Sequence, residues 1–316
     1  MDNFIIRKNT RRIGKKHYHK YYDMDGSEIK GKKRINDIIS GFYIAPAYRD
    51  VKINLKKDAK ILAIGYDEKG RAQYVYNKEF IEKQSDKKFN KMIDFGKNFK
   101  KINNKINDDL YSIKDSKEKQ IAIILKLIME CHFRIGNDVY SKKNKSYGTT
   151  TLQQKHIKVK SKDEVVIDFN GKKNVRNVCT IRNKKLVKTL RQKKRTIGRE
   201  DRIFSYRRGS KYYNIKSSDV NKYLKQFGKY TAKDFRTWGA NIELIKQLVK
   251  KESDIKKCID EVANKLHNTP AICKSNYLDP ELILFYKTDT IKFKKYFDFN
   301  TQTKLYNQYI QFLEDL

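Results

Sequence analysis

The pattern of apolar and polar positions changes character once along the chain. Up to about residue 80 it reads as strands. "GFYIAPAYRDVKIN" and "AKILAIGYD" are short apolar runs, and after "EKG" comes "RAQYVYN". The last two runs predict a β-hairpin, with Gly70 in its turn. Alternation in the second strand puts Ala72, Tyr74 and Tyr76 on one face and Arg71, Gln73 and Val75 on the other. The two tyrosines suit either a core or an exposed, nucleic-acid-facing sheet. "IEKQSDKK" (81–88) is polar, and helical periodicity dominates beyond it, so a domain boundary is expected near Ser85.

The second part reads as mostly α. Ile121, Ile124, Ile128, Cys131 and Ile135 alternate in steps of three and four, the signature of one buried helix face, with Gly136-Asn137 as its stop. "DEVVIDFNGKKNVRNVCTI" breaks that period and predicts strand, Asn170-Gly171 turn, strand. "TAKDFRTWGANIELIKQLVKK" predicts a helix capped by Thr231, with Asp234 completing a capping box. Another apolar stripe runs from Ser253 onward through Ile255, Cys258, Ile259, Val262, Ala263 and Leu266. Thr269-Pro270 then opens a further helix as cap and first position. The expected class is therefore α+β: a β-rich N-terminal domain over 1–84 and a larger, mostly helical domain over 85–316 that carries a β-hairpin.

Composition adds a partner. The 316 residues hold 73 Lys+Arg against 37 Asp+Glu, a net charge of +36. Self-repulsion on that scale opposes a compact state unless a polyanion balances it. DNA or RNA is the leading candidate and a membrane surface the weaker one. Codon bias towards Lys, Asn, Ile and Tyr accounts for part of the excess. The longest apolar run, "IAIILKLIMEC", is interrupted by Lys126 and Glu130 and is too short to span a bilayer, and "MDNFIIRKNTRRIGKK" predicts no signal peptide. Cys131, Cys179, Cys258 and Cys273 stand far apart with no Cys-x-x-Cys pair, so neither a zinc site nor a disulfide framework is expected, and a reducing compartment is the default.

Individual candidates each have an ordinary reading beside a chemical one. Arg134, near the end of the Ile121–Ile135 pattern, either snorkels out or offers its forked donors to a phosphate. Arg236, near the start of the Thr231-capped helix, either pairs with Asp234 or another carboxylate, or meets an anion at the helix N-terminus. Lys172 and Lys173 are solvated turn lysines or a cationic hairpin tip. Tyr277, about two turns past Pro270, is a core aromatic or a nucleophile.

Taken in order, these pieces resemble the type IB DNA topoisomerases of the small poxvirus and bacterial kind. "FRIGNDVY" is similar to the first arginine box, with Arg134 in the catalytic place, and "GTTTLQQKHIKV" to the segment after it. "FNGKKNV" resembles the lysine hairpin with Lys172, "TAKDFRTWGAN" the second arginine box with Arg236, and "HNTPAICKSNYLDP" the nucleophile helix with Tyr277. "GYDEKGRAQYVYN" resembles the N-terminal DNA-contacting hairpin, placing Gln73, Tyr74 and Tyr76 at DNA; Tyr140 falls on a base-proximal position. The resemblance covers the chain from about Ile61 on. Poxvirus relatives carry a histidine nine residues before the tyrosine; here that place is Asn268, with His267 one residue earlier. Asn268 is therefore expected to donate to the phosphate and His267 to end a helix. Asn137 stands where the poxvirus enzymes have a lysine.

The resemblance implies a monomeric C-shaped clamp on double-stranded DNA, nicking and rejoining through a 3′-phosphotyrosine with no metal, ATP or small-molecule cofactor. The expected location is intracellular, on DNA, in a viral factory or virion if the source is viral. Two alternatives stay open: a tyrosine recombinase, although those usually show His-x-x-Arg where this chain has Lys233-x-x-Arg236, and a non-enzymatic basic DNA-binding protein.

Overall fold

The computed structural model describes residues 3–250 and 254–316. Ser253, where the third helical stripe was expected to begin, lies outside the described residues. The protein is mixed α/β, with an N-terminal sheet and a helical region, and it divides into two compact units, Met1–Lys88 and Phe89–Leu316.

The first unit is built on a five-stranded antiparallel sheet. Its strands are β1 (Phe4–Ile13), β2 (Lys16–Asp23), β3 (Arg49–Asn54), β4 (Ile61–Tyr66) and β5 (Ala72–Tyr76), in the order β2-β1-β3-β4-β5. Helix α1 (Lys32–Ile39) lies between β2 and β3 in sequence. Ile5, Val51, Ile53 and Ala63 alternate inward along their strands and form a small core with Ile29. The β4–β5 turn uses Gly70 at φ 68°, the left-handed conformation glycine adopts without penalty. On β5, Tyr74 and Tyr76 are 50% and 39% exposed, which removes the core reading. Their rings lie 6.1 Å apart on the open face.

Helix α2 (Lys78–Tyr111) runs through the polar "IEKQSDKK" stretch without a break. The second unit continues with α3 (Lys117–Cys131), α4 (Asp138–Asn144), strands β6 (Ile157–Val159), β7 (Val165–Asn170) and β8 (Arg176–Ile181), and α5 (Lys184–Thr196). A small hairpin, β9 (Ser205–Arg208) and β10 (Lys211–Asn214), leads to α6 (Ser217–Leu224) and α7 (Ala232–Leu248). After these come α8 (Ile255–Lys265), α9 (Pro270–Asn276), α10 (Pro280–Thr288), α11 (Thr290–Tyr296) and α12 (Gln302–Glu314). Among the described residues, no helix is long and apolar enough to cross a membrane.

Helix α3 is the centre of this unit. Ile123, Leu125 and Leu127 are as fully buried as Ile121, Ile124 and Ile128, so it is enclosed around most of its circumference rather than on one face. It also ends sooner than its periodicity suggests. His132 takes a left-handed conformation at φ 52° and its N–H closes on Ile128 O, so Ile135 and Arg134 lie in the extended segment beyond the helix.

The cysteine reading is corrected as well: Cys131 and Cys179 form a disulfide, their Cα atoms 5.7 Å apart. Cys131 closes α3 and Cys179 lies in β8, and tertiary packing brings together positions 48 residues apart in sequence. Cys258 and Cys273 are free and buried.

Candidate active site

Five sequence-predicted residues meet in the second unit. Arg134, Lys172, Arg236 and Tyr277 line one open cavity of about 520 Å³, together with Ile135, Lys233 and Asn276. Asn268 bonds to Arg134 beside it.

Arg236 is the best-held of them. The capping box at the start of α7 is present: Thr231 N–H and hydroxyl donate to Asp234 Oδ2 at 2.7 and 3.0 Å. Asp234 is thereby committed, and Lys91 Nζ sits 2.6 Å from it, so it does not serve Arg236. Instead the buried guanidinium donates to three neutral oxygens: His132 O at 2.8 Å, Leu266 O at 2.9 Å and Tyr277 Oη at 2.5 Å. Among the described residues no carboxylate pairs with it. Burial lowers its pKa to about 10, partly opposed by Tyr277 and assisted by Arg134, so it stays cationic at neutral pH. A buried cation satisfied only by neutral acceptors presents net positive charge to whatever enters the cavity.

Tyr277 lies at the very end of its helix. Thr269 caps α9, accepting from Ile272 N–H, and Pro270 occupies the first position. The helix stops at Asn276, and Tyr277 is its C-cap. Its backbone carbonyl is held by Asn241 Nδ2 at 3.0 Å, while Asn241 Oδ1 accepts from Asp279 N–H at 2.8 Å. Tyr277 is 7% exposed, so most of the ring is packed, and the guanidinium carbon of Arg236 stands 4.6 Å from its centroid. Tyr277 is thus packed like a core aromatic and also lines the cavity.

Arg134 is placed by its backbone. Its carbonyl accepts from Thr149 N–H and Oγ1 at 2.8 and 3.1 Å, and Ile135 O accepts from Thr150 N–H and Oγ1, both at 2.8 Å. This explains the "GTTT" stretch: two consecutive threonines grip two consecutive carbonyls. Gly148 is required beside them, since a Cβ there would stand 2.5 Å from Gly136 backbone and 2.7 Å from Arg134 O. The guanidinium donates to His267 O at 3.3 Å and to Asn268 Oδ1.

That last bond orients Asn268. Arginine only donates, so the amide oxygen must face it and the amide nitrogen must face elsewhere. Among the described residues, Asn268 Nδ2 is buried without a partner, which leaves a donor free beside Arg134. His267 is turned the other way. It is left-handed at φ 53°, its Nε2 lies 3.3 Å from Cys131 O, and its ring tilts against Phe133 at 5.3 Å. Burial depresses its pKa to about 4, with Arg236 and Arg134 adding to the effect.

Lys172 reaches the same cavity from the β7–β8 hairpin, and its side chain is exposed. The connection is not the expected two-residue turn. Asn170 pairs with Arg176, leaving five residues between, with Lys173 and Asn174 both left-handed at φ 60°. Gly171 has an ordinary φ of −96°; it is needed because a Cβ would meet Asn177 Nδ2 at 2.6 Å. Tyr140 is 60% exposed on α4, whose N-cap is Asn137. In the first unit, Gln73 is half-buried and donates to Asp67 Oδ2 at 3.1 Å.

Sequence reasoning missed Thr149, Thr150, Asn241 and the carbonyls of His132 and Leu266. None carries a charge.

Comparison with known proteins extends these observations. Residues 77–303 match the family model for the catalytic core of eukaryotic DNA topoisomerase I. Residues 18–67 match that for the N-terminal domain of bacterial DNA topoisomerase IB. The DNA topoisomerase 1B of Acanthamoeba polyphaga mimivirus is 31% identical, covering 85% of this chain and 88% of the relative. The DNA topoisomerase 1B of vaccinia virus (strain Copenhagen) is 26% identical, covering 77% and 76%. The second family match reaches upstream of Ile61, where the motif resemblance began.

Proposed function

The chain belongs to the type IB DNA topoisomerases, and on that premise we propose that it relaxes supercoiled duplex DNA with Tyr277 as the nucleophile. The observation that carries this reading is the buried Arg236 guanidinium donating to Tyr277 Oη at 2.5 Å, within the cavity that Arg134 and Lys172 also line.

Arg236 gives only donors, so the phenolic oxygen accepts from it. In the forward step the Tyr277 hydroxyl gives up its proton to water, an Oη–phosphorus bond forms, and the bond from phosphorus to the 5′-oxygen breaks. Negative charge grows on the non-bridging oxygens, where Arg134, Arg236 and the free Asn268 Nδ2 offer positive charge and donors. The Lys172 ammonium gives its proton to the departing 5′-oxygen. The 3′-phosphotyrosine conserves the phosphodiester bond energy, so the freed 5′-hydroxyl end rotates and rejoins by the reverse path with no nucleotide consumed. Lys233, whose Nζ stands 6.0 Å from the Tyr277 ring centroid, adds positive charge at the cavity.

We extend the reading to a monomeric, C-shaped clamp on the duplex, in which the N-terminal unit presents Gln73, Tyr74 and Tyr76 and the catalytic unit presents Tyr140. Exposed aromatic rings on a basic surface support that role. Family membership favours this reading over the recombinase and over a purely architectural protein.

The test is relaxation of supercoiled plasmid in EDTA without ATP. Both positive and negative supercoils should be removed, and Tyr277→Phe should abolish the covalent protein–DNA band while DNA affinity stays within about twofold, since one hydroxyl is a small part of a phosphate-dominated interface. Strict magnesium dependence, or a covalent band that persists in the phenylalanine variant, overturns the mechanism.

A further inference from the structure

The β1–β2 hairpin is longer than the sheet it belongs to. Strand β1 pairs with β3 only over Phe4–Arg7. At that root Ile5 is fully buried, and Arg7, 3% exposed, donates to Ala45 O and Tyr48 O at 2.9 and 3.1 Å. Beyond Arg7 the two strands pair only with each other, from Lys8 opposite Lys20 to Ile13 opposite Lys16 around Gly14 at φ 56°. Every residue from Lys8 to Lys16 is exposed. The anchored root therefore carries a free two-stranded ribbon, about 20 Å long at the usual strand rise.

The ribbon is uniformly cationic. Lys8, Arg11, Arg12, Lys15, Lys16 and Lys20 lie within residues 8–20, with His17 and His19 and no Asp or Glu. Lys8 faces Lys20 across the ladder, an arrangement that disfavours pairing. Among the described residues, Lys20 alone of the six pairs with a carboxylate, Glu28 at 2.9 Å, while Lys8 and Lys16 stand over the rings of Tyr22 and Tyr18. Two-stranded ribbons without a core behind them are marginal in water, so the five like charges without a carboxylate partner oppose this element's own stability. Such a ribbon is stabilised by an external line of negative charge. Duplex DNA carries one charge per about 1.7 Å of axis, and its major groove, about 12 Å wide, admits a two-stranded ribbon. The arm is also about twice the Debye length at physiological salt, so its tip senses a phosphate field separate from that at its root.

We propose that residues 8–20 form a phosphate-gripping arm that adds a sequence-independent DNA contact to those of β5 and the catalytic unit. The proposal rests on the reading of duplex DNA as substrate. Phosphate contacts fix position without carrying sequence information, so the grip proposed here contributes affinity and salt dependence.

Full-length protein and the triple variant Arg11→Gln/Lys15→Gln/Lys16→Gln are compared by titrating a labelled linear duplex across a salt series. The variant should bind about tenfold more weakly at low salt, and the slope of log affinity against log salt should shrink by up to about 2.7, three contacts at about 0.9 each. Single-turnover cleavage at saturating enzyme should be unchanged, because no residue of the arm lines the catalytic cavity. Arg11→Lys/Lys15→Arg/Lys16→Arg, which keeps the charge, should retain the parent slope; a loss there too would mean the effect is structural and overturns the proposal. Parallel salt lines for parent and triple variant also overturn it, as does a variant whose only defect is binding to phosphatidylserine vesicles. Should the parent bind DNA with the predicted arm dependence yet never nick it, the arm stands and the catalytic reading falls.

Discussion

Asn268 and His267 are adjacent in sequence but turn to different partners, with His267 in a left-handed conformation at φ 53°. His267 spends its ring on Cys131 O and Phe133, whereas Asn268 turns its oxygen to Arg134 and leaves a buried amide N–H₂ free. Asn268→Ala should therefore slow single-turnover cleavage by about tenfold to a thousandfold, the range for losing one transition-state donor. Asn268→His should keep part of the activity, since an imidazole can donate from a similar place. His267→Gly should leave the rate near the parent value, because φ 53° costs glycine nothing. A rate that drops only in the His267 variant would reverse the assignment. In the sequence, the proposal for Asn268 rests on the nine-residue spacing to Tyr277 that the family resemblance implies. The free nitrogen was not legible there, because it follows from Arg134 approaching across 134 residues of chain.

At the level of elements, helices with caps were readable and the loops that hold Arg134 and Lys172 were not. The α7 capping box and the Thr269-Pro270 start of α9 follow from local chemistry, and the structure has both. Ile135 continues the three–four apolar period of α3 with Arg134 beside it, yet both lie beyond the helix, where Thr149 and Thr150 hold their carbonyls. The β1–β2 ribbon gave no readable pattern, since its outer half buries neither face and so shows no alternation. The lysine hairpin was seen but its turn was misjudged: left-handed Lys173 and Asn174, not Gly171, reverse the chain. That geometry leaves Lys172 at the cavity, so Lys172→Ala should lose cleavage on ordinary DNA and regain it on a duplex with sulfur in place of the bridging 5′-oxygen, which leaves without a proton. Rescue seen with Lys173→Ala instead would assign the proton donor to the neighbouring lysine.

For the molecule as a whole, four histidines make stability depend on pH. Burial is the first cause in each case, holding His19, His132, His156 and His267 near a pKa of about 4; at His132 the neighbouring Glu243 opposes the shift while Arg236 and Lys265 reinforce it. In the unfolded chain the same groups titrate near 6.5. Between those values the unfolded state binds protons that the native state refuses, so stability falls as pH drops from about 6.5 to about 4 and is unaffected above that window. Urea midpoints at pH 7.5 and 5 should differ accordingly, and His267→Gly should narrow the gap; equal midpoints would contradict the burial argument. The bond between Cys131 and Cys179 has a different whole-molecule consequence: it makes residues 131–179 a covalent ring with two tails. Arg134 and Lys172 both sit on that ring. A protease cutting once, after exposed Lys142 or Lys143, would open the ring without releasing a fragment, so the nicked protein should migrate as one band until a thiol is added and as two afterwards.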